Sequence, residues 1–360
     1  MKKLTLAIID DGIDPAYLPR DQSCEFFIAE RDMIMPDNSP SADIATFSTH
    51  ATACYTVIKK NTNVLHKLLS IKILDPRTGM GMNKSLVAAL KWCVARGNID
   101  IIHMSLGTNQ YLDFSPITKA VEELPDSIIV AACSNKHILT FPACLPGVLG
   151  VRRCDAVELQ NKFVFINAPY DGVELLVYSK DTSNSLAAPI ITAKVCDYLA
   201  SGVKGIEAIH KRLSKESVHD TSFVNYQLYK GLIPAWEKLN ASVVAIPSDI
   251  SGGLYKLKDL ILLFIQEGYR AVGLTRSQET WIENCIFRLS WENELISLPD
   301  LIELYYNFTW PDIIFLHMEL KEVLALPSEM QVDIVIGEST DLDIHDSAEK
   351  LFSQIKELLS

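Results

Sequence analysis

Three short segments of this 360-residue chain each set one reactive side chain at the edge of an apolar element. In Ala7-Ile8-Ile9-Asp10-Asp11-Gly12-Ile13-Asp14, an apolar strand delivers a carboxylate to its C-terminal end, where open parallel sheets gather their sites. Ser48-Thr49-His50-Ala51-Thr52-Ala53-Cys54 holds an imidazole at a helix start, and Ser183-Asn184-Ser185-Leu186-Ala187-Ala188-Pro189 puts Ser185 in the first turn of a buried helix. A serine hydroxyl is a weak nucleophile at neutral pH. It needs a base within hydrogen-bond reach, and that base needs a partner to set its tautomer. His50 can take the Ser185 proton while Asp10 orients the ring and stabilises the imidazolium, so the three groups close into one acyl-transfer mechanism.

A tetrahedral intermediate also needs donors for its oxyanion. Val130-Ala131-Ala132-Cys133-Ser134-Asn135 places an amide just after a buried strand, so Asn135 and the Ser185 backbone N–H are the expected donors. Taken singly, each segment has an ordinary reading, as a turn or a helix cap. Asp11 and Asp14 are read that way, as turn and solvent residues. His103 and His137 are read as structural histidines, and Cys54 and Cys133 as core thiols.

The elements that must carry these groups follow from periodicity. Leu4 to Ile9, Leu69 to Leu74, Ile99 to Met104, Ile128 to Ala132 and Val148 to Val151 are apolar on both faces, as buried parallel strands are. Leu86, Ala89, Leu90, Cys93 and Val94 fall on one face of a crossover helix. A helix from near Ser185 carries Ala187, Ile190, Ile191 and Val195 toward the core, with Pro189 assigned to its first turn, where a missing N–H does no harm. The composition then turns polar, and 206–222 is expected to be a connector between domains 1–205 and 223–360. The second stretch repeats the alternation: strands Val243 to Ile246, Ala271 to Leu274, Ile313 to His317 and Val332 to Ile336, with helices Leu257 to Glu267 and Ala348 to Leu359.

With these residues in place, the first 200 or so resemble the subtilisin-like serine peptidases, the subtilase (S8) family. Ile102-His103-Met104-Ser105-Leu106-Gly107 resembles that family's cleft-lining strand, and Phe141-Pro142-Ala143 its aromatic-Pro-small segment after the oxyanion asparagine. The departures are Ala51 for a Gly, Ala53 for a second His, Ser183-Asn184 for Gly-Thr and Ile190 for a His. The resemblance implies an α/β fold, a subtilisin-like doubly wound parallel sheet, followed by a second, smaller α/β domain. It implies a serine endopeptidase with Asp10, His50 and Ser185 as triad and Asn135 at the oxyanion. Ser105, Leu106 and Gly107 are expected to pair with a peptide bound as an extended strand. No metal and no cofactor is expected. The second domain weakly resembles a P-loop-like α/β domain of bacterial systems that mature ribosomally made peptides. Its Ile246-Pro247-Ser248-Asp249-Ile250-Ser251-Gly252-Gly253 lacks the Lys and Ser/Thr of a phosphate loop and is read as a plain β-to-α turn.

Composition narrows the remaining classes. The chain is 48% hydrophobic and 22% charged with a formal charge of −12, which disfavours a nucleic acid partner. No stretch approaches the roughly 20 apolar residues of a membrane span. Eight scattered cysteines without a C-x-x-C pair suggest free thiols and a cytoplasmic location. With no signal segment or propeptide evident, the expected substrate is a dedicated precursor peptide whose leader is removed. The second domain would recruit that precursor or a modifying enzyme. The rivals are a pseudoprotease scaffold and a general intracellular protease.

Overall fold

Leu6 and Ile8 face one way along the first strand, Ala7 and Ile9 the other, and all four are buried, so both faces of their sheet are covered. The computed structural model describes residues 3–359 except 31, 41–48, 65, 137, 156, 167–168, 170, 181–182, 219–239, 251, 278–280, 290–296, 331 and 338–340. The chain divides into two compact units, Met1–Asn109 with Pro116–Asp220 and Gln110–Ser115 with Thr221–Ser360.

In the first unit, strands β1 (Leu4–Asp10), β2 (Cys24–Glu30), β3 (Met33–Pro36), β4 (His66–Lys72), β5 (Ile101–Met104), β6 (Ile128–Ala132), β7 (Val148–Cys154), β8 (Phe163–Phe165) and β9 (Leu175–Tyr178) form one sheet. Its order is β3-β2-β4-β1-β5-β6-β7-β9-β8. The seven strands from β2 to β9 run parallel, and β3 and β8 close the two edges as antiparallel partners. Helices α1 (His50–Asn61) and α4 (Asn184–Ala200) pack together against one face, while α2 (Asn83–Arg96) lies on β2 and β3. Between β5 and β6 in sequence runs α3 (Phe114–Glu122). The core joins Leu6, Ile8, Val130 and Val151 of the sheet to Tyr55 and Ile58 of α1 and Ile191 and Val195 of α4.

Two expectations need correction here. The segment 206–222 is not simply a polar connector: it contains helix α5 (Ile206–Glu216), whose Ile209 and Leu213 are buried in the same core. Its charged residues had hidden two apolar positions at helical spacing. Residues 219–222 lie outside those described, as does His137. Pro189 sits in the second turn of α4 rather than the first, with a consequence for the site developed below.

The second unit is a smaller parallel sheet of β10 (Ser242–Pro247), β11 (Ala271–Thr275), β12 (Ile286–Arg288), β13 (Ile313–Met318) and β14 (Ile334–Val335), ordered β12-β11-β13-β10-β14. Its helices are α6 (Gly253–Gln266), α7 (Leu298–Thr309), α8 (Leu320–Leu324) and α9 (Ala348–Leu359). Phe264 of α6 meets Phe315 of β13 and Phe352 of α9 with ring centroids 5.7 and 4.7 Å away, tying helices to sheet. Gly252, at φ +80°, turns the chain into α6; Ser251 of that turn lies outside the described residues. All eight cysteines are free, and all but Cys24 are buried. No helix among the described residues is long and apolar enough to cross a membrane.

Candidate active site

Parallel strands deliver their C-terminal residues to one edge of the sheet, and the site lies along that edge. Asp10 is the last residue of β1 and is 1% exposed. His50 opens α1, and its Nδ1 lies 2.8 Å from Asp10 Oδ2. With Nδ1–H donating to the carboxylate, Nε2 is left as the basic nitrogen. The Asp10 hydrogen bond, and secondarily Cys54, raise the His50 pKa to about 11 against the opposing effect of burial.

Asp11 and Asp14 are buried, contrary to their reading as solvent residues. The Asp11 carboxylate accepts from the backbone N–H of His50 at 2.9 Å and Ala51 at 2.8 Å, satisfying two of the free donors at the start of α1. Burial, and then the Asp10 charge, push its pKa up while those two N–H groups pull it down. Thr49 caps the same helix through the Thr52 N–H, and Thr52 Oγ1 accepts from the Asp14 N–H. Asp11 and Asp14 thus pin the β1 exit to α1, so His50 meets Asp10 through rigid elements.

The serine is anchored differently. Ser185 is the second residue of α4, and Pro189, four residues on, has no N–H to give its carbonyl. That carbonyl instead accepts from Ser105 Oγ at 2.7 Å, with Cys54 Sγ 3.6 Å away. Having spent its proton there, Ser105 must accept from His103 Nε2 at 2.9 Å, so His103 carries its proton on Nε2 and its Nδ1 accepts from Thr192 Oγ1 at 2.7 Å. His103 is fully buried, and burial, helped by the nearby His50 charge, lowers its pKa to about 3. It stays neutral and braces the floor of the site.

The Ser185 hydroxyl donates to Ser183 Oγ at 3.0 Å, and no hydrogen bond joins it to His50 among the described residues. Asp10 and His50 are therefore brought into direct contact, whereas Ser185 joins them through shared neighbours. Cys54 Sγ lies 3.9 Å from His50 Nδ1 and 3.4 Å from Ser105 Oγ. Asp10, His50 and Cys54 offer ligand atoms within 4.8 Å of one another, the geometry a metal ion would need. Burial raises the Cys54 pKa, however, keeping it a thiol, and His50 Nδ1 and Asp10 already occupy each other.

Asn135 follows β6 and accepts from the Asn184 N–H through Oδ1 at 2.8 Å, which fixes its amide at the start of α4. Asn184 in turn donates to the Ser134 carbonyl and accepts from the Arg153 N–H. Leu106 and Gly107 follow β5, and no backbone hydrogen bond joins either to another described residue. Ser105, by contrast, has its side chain committed to the Ser185 carbonyl. Gly107 is required as glycine: a Cβ there would come within 2.6 Å of Thr140 Cγ2 and 2.7 Å of the Phe141 carbonyl oxygen.

Sequence reasoning missed the capping role of Asp11 and the His103–Ser105 link; Cys54 is the buried free thiol expected, but its contacts with His50 and Ser105 were not anticipated. A polar residue in a buried run was the available signal for His103, and a hydroxyl beside it for Ser105.

No curated protein matches the sequence. Among solved structures, a cold adapted subtilisin-like serine proteinase is 18% identical, with 61% of this chain and 85% of that chain covered and a TM-score of 0.41. The prenylagaramide maturation protease PagA is 18% identical, covering 58% of this chain and 81% of its own at a TM-score of 0.39. The PatG macrocyclase in complex with peptide is 15% identical, covering 62% and 86% at a TM-score of 0.40. The Subtilase family model, peptidase S8, matches residues 1–227, more than half of the chain and a span that takes in every residue of the site, and the chain therefore belongs to the subtilase family.

Proposed function

We propose that this protein is a serine endopeptidase in which Ser185 attacks a peptide carbonyl, His50 is the general base and Asp10 its orienting partner. The observation that carries this reading is the 2.8 Å contact between buried Asp10 and His50, beside a serine at the start of α4. His50 Nε2 takes the hydroxyl proton as Ser185 Oγ bonds to the carbonyl carbon. The Asn135 amide and the Ser185 N–H, at the positive end of α4, stabilise the oxyanion. On collapse the proton passes to the leaving amine, and water then releases the acyl group by the same steps. The free backbone edge at Leu106 and Gly107 suits a substrate held as an extended strand.

The substrate class we assign is a ribosomally made precursor whose leader is removed, with the second α/β unit recruiting the precursor or a modifying enzyme. Incubation with candidate precursors followed by mass spectrometry tests it. Cleavage by wild type and none by Ser185→Ala is the expected pair of results. Precursors left intact by both would remove the proteolytic reading.

One observation favours a second reading, a pseudoprotease that binds its peptide without cutting: the Ser185 proton is directed at Ser183 rather than at His50. Catalytic hydrogen bonds in empty sites are often loose and tighten with substrate. A fluorophosphonate probe separates the readings, since only an activated Ser185 reacts. Ser183→Ala releases the hydroxyl from its competing acceptor, so an active site should label at least as fast in that variant. Absence of labelling in both proteins supports the scaffold.

A further inference from the structure

A cavity of about 380 Å³ that the catalytic reading does not use reaches Leu186, the residue after the serine. It is lined along α4 from Leu186 to Asp197, and by the end of β9 together with Lys180, two residues beyond that strand. Its floor is apolar, from Val177, Leu186, Ile190 and Ile191. Its walls carry three ammonium groups, Lys162, Lys180 and Lys194, against one carboxylate, Asp197.

That balance reverses the sign of a chain whose net charge is −12. Asp197 is engaged as acceptor of the Thr62 hydroxyl. Lys194 is partly neutralised, lying 3.1 Å from Glu216 and 5.2 Å from the Phe163 ring centroid. Lys162 and Lys180 have no carboxylate within ion-pair distance among the described residues. Two lysines without an ion-pair partner among the described residues, beside a partly enclosed apolar floor, are complementary to a ligand that brings a carboxylate and an aliphatic group together. The volume of about 380 Å³ suits a short peptide stretch, and the acidic remainder of the surface repels a longer polyanion.

We propose that this cavity is a recognition site for an acidic peptide segment, holding a Glu or Asp side chain next to an aliphatic one on the stretch adjoining the bond that Ser185 attacks. The assignment rests on the peptidase reading for which polypeptide supplies the segment, but binding can be measured without cleavage.

The test uses full-length protein carrying Ser185→Ala and a fluorescein-labelled hexapeptide of alternating Leu and Glu, with an alternating Leu and Gln peptide as comparison, read by fluorescence anisotropy at low salt. The Glu peptide should bind at least tenfold more tightly. Lys162→Gln with Lys180→Gln should remove most of that preference, and Lys162→Glu with Lys180→Glu should abolish it, at an unchanged melting temperature. Equal binding of the two peptides, or a preference that survives charge reversal, would overturn the proposal. Competition by N-acetylglutamate as strong as by the unlabelled hexapeptide would overturn the peptide assignment in favour of a free acid. Charge-selective binding without fluorophosphonate labelling of the wild type would leave the site standing and remove the peptidase reading alone.

Discussion

Ser105→Ala should destabilise the first unit by about 1.5–4.5 kcal/mol, more than expected for deleting one partly exposed hydroxyl. The magnitude follows from two groups left behind. His103 is fully buried and donates from Nε2 to Ser105, so its N–H would lose its acceptor, a loss of about 1–3 kcal/mol. The Ser185 carbonyl would lose its 2.7 Å donor, about 0.5–1.5 kcal/mol more, with Cys54 Sγ a weak substitute. Pro189 is the reason that carbonyl depends on Ser105 at all, which gives the argument a second handle. Pro189→Ala supplies an N–H four residues after Ser185, so it should recover about 0.5–1.5 kcal/mol in the Ser105→Ala background. In the wild type, where the carbonyl already has a donor, its gain should be smaller. Urea unfolding of the four proteins, with the transition of the first unit followed separately from the second, measures the cycle. A Ser105→Ala cost below about 0.5 kcal/mol, or identical effects of Pro189→Ala in both backgrounds, would refute the carbonyl-rescue account.

Asp10→Asn should slow labelling of Ser185 by on the order of 10⁴, because the amide no longer favours the productive tautomer. Asp10 raises the His50 pKa and the base works only when neutral, so the wild-type rate should climb with pH into the alkaline range; the Asn variant should show its rise at lower pH. A pH–rate series checks both the loss and the direction of the shift. If Asn135 donates to the oxyanion as proposed, Asn135→Ala should lower turnover by about 10²–10³, the cost of removing one such donor, with little change in KM. It should also cost about 1 kcal/mol of stability, because Oδ1 caps the Asn184 N–H. His103 has a folded pKa depressed to about 3 from 6.5, so the unfolded chain gains its proton first. The contribution is absent above pH 6.5 and destabilises by about 1.4 kcal/mol per pH unit as the pH falls below that value. His103→Gln should flatten this part of the unfolding pH series.

Strands such as β1 and β6 were readable because burial on both faces leaves continuous apolar runs, as in Leu4 to Ile9 and Ile128 to Ala132, whereas the parallel strands β2, β9 and β12 were not anticipated. The antiparallel edge strand β3 escaped notice because an edge strand is only partly covered: Met33 and Met35 are exposed, so no buried run marks it. Helix α5 was hidden by its lysines and glutamates, although Ile209 and Leu213 are buried. At the site, Asp10 and His50 could be paired from their positions at element ends. Several partners come from segments 39 to 131 residues away, as in Asp11 with the His50 N–H, His103 with Thr192, Ser105 with the Ser185 carbonyl and Cys54 with that same carbonyl.

The amino-acid order alone determined the α/β class, the ends of the strands and helices at which Asp10, His50, Asn135 and Ser185 stand, and the chemistry those groups can perform. These follow from local hydrophobic period and from intrinsic side-chain reactivity. Tertiary structure decided that Asp11 caps α1, that Ser105 replaces the hydrogen bond Pro189 withholds, that Ser183 accepts the hydrogen bond of the Ser185 hydroxyl, and that three lysines share one cavity. Each of these depends on where distant backbones bring donors, acceptors and charges together, and no local pattern encodes that distance.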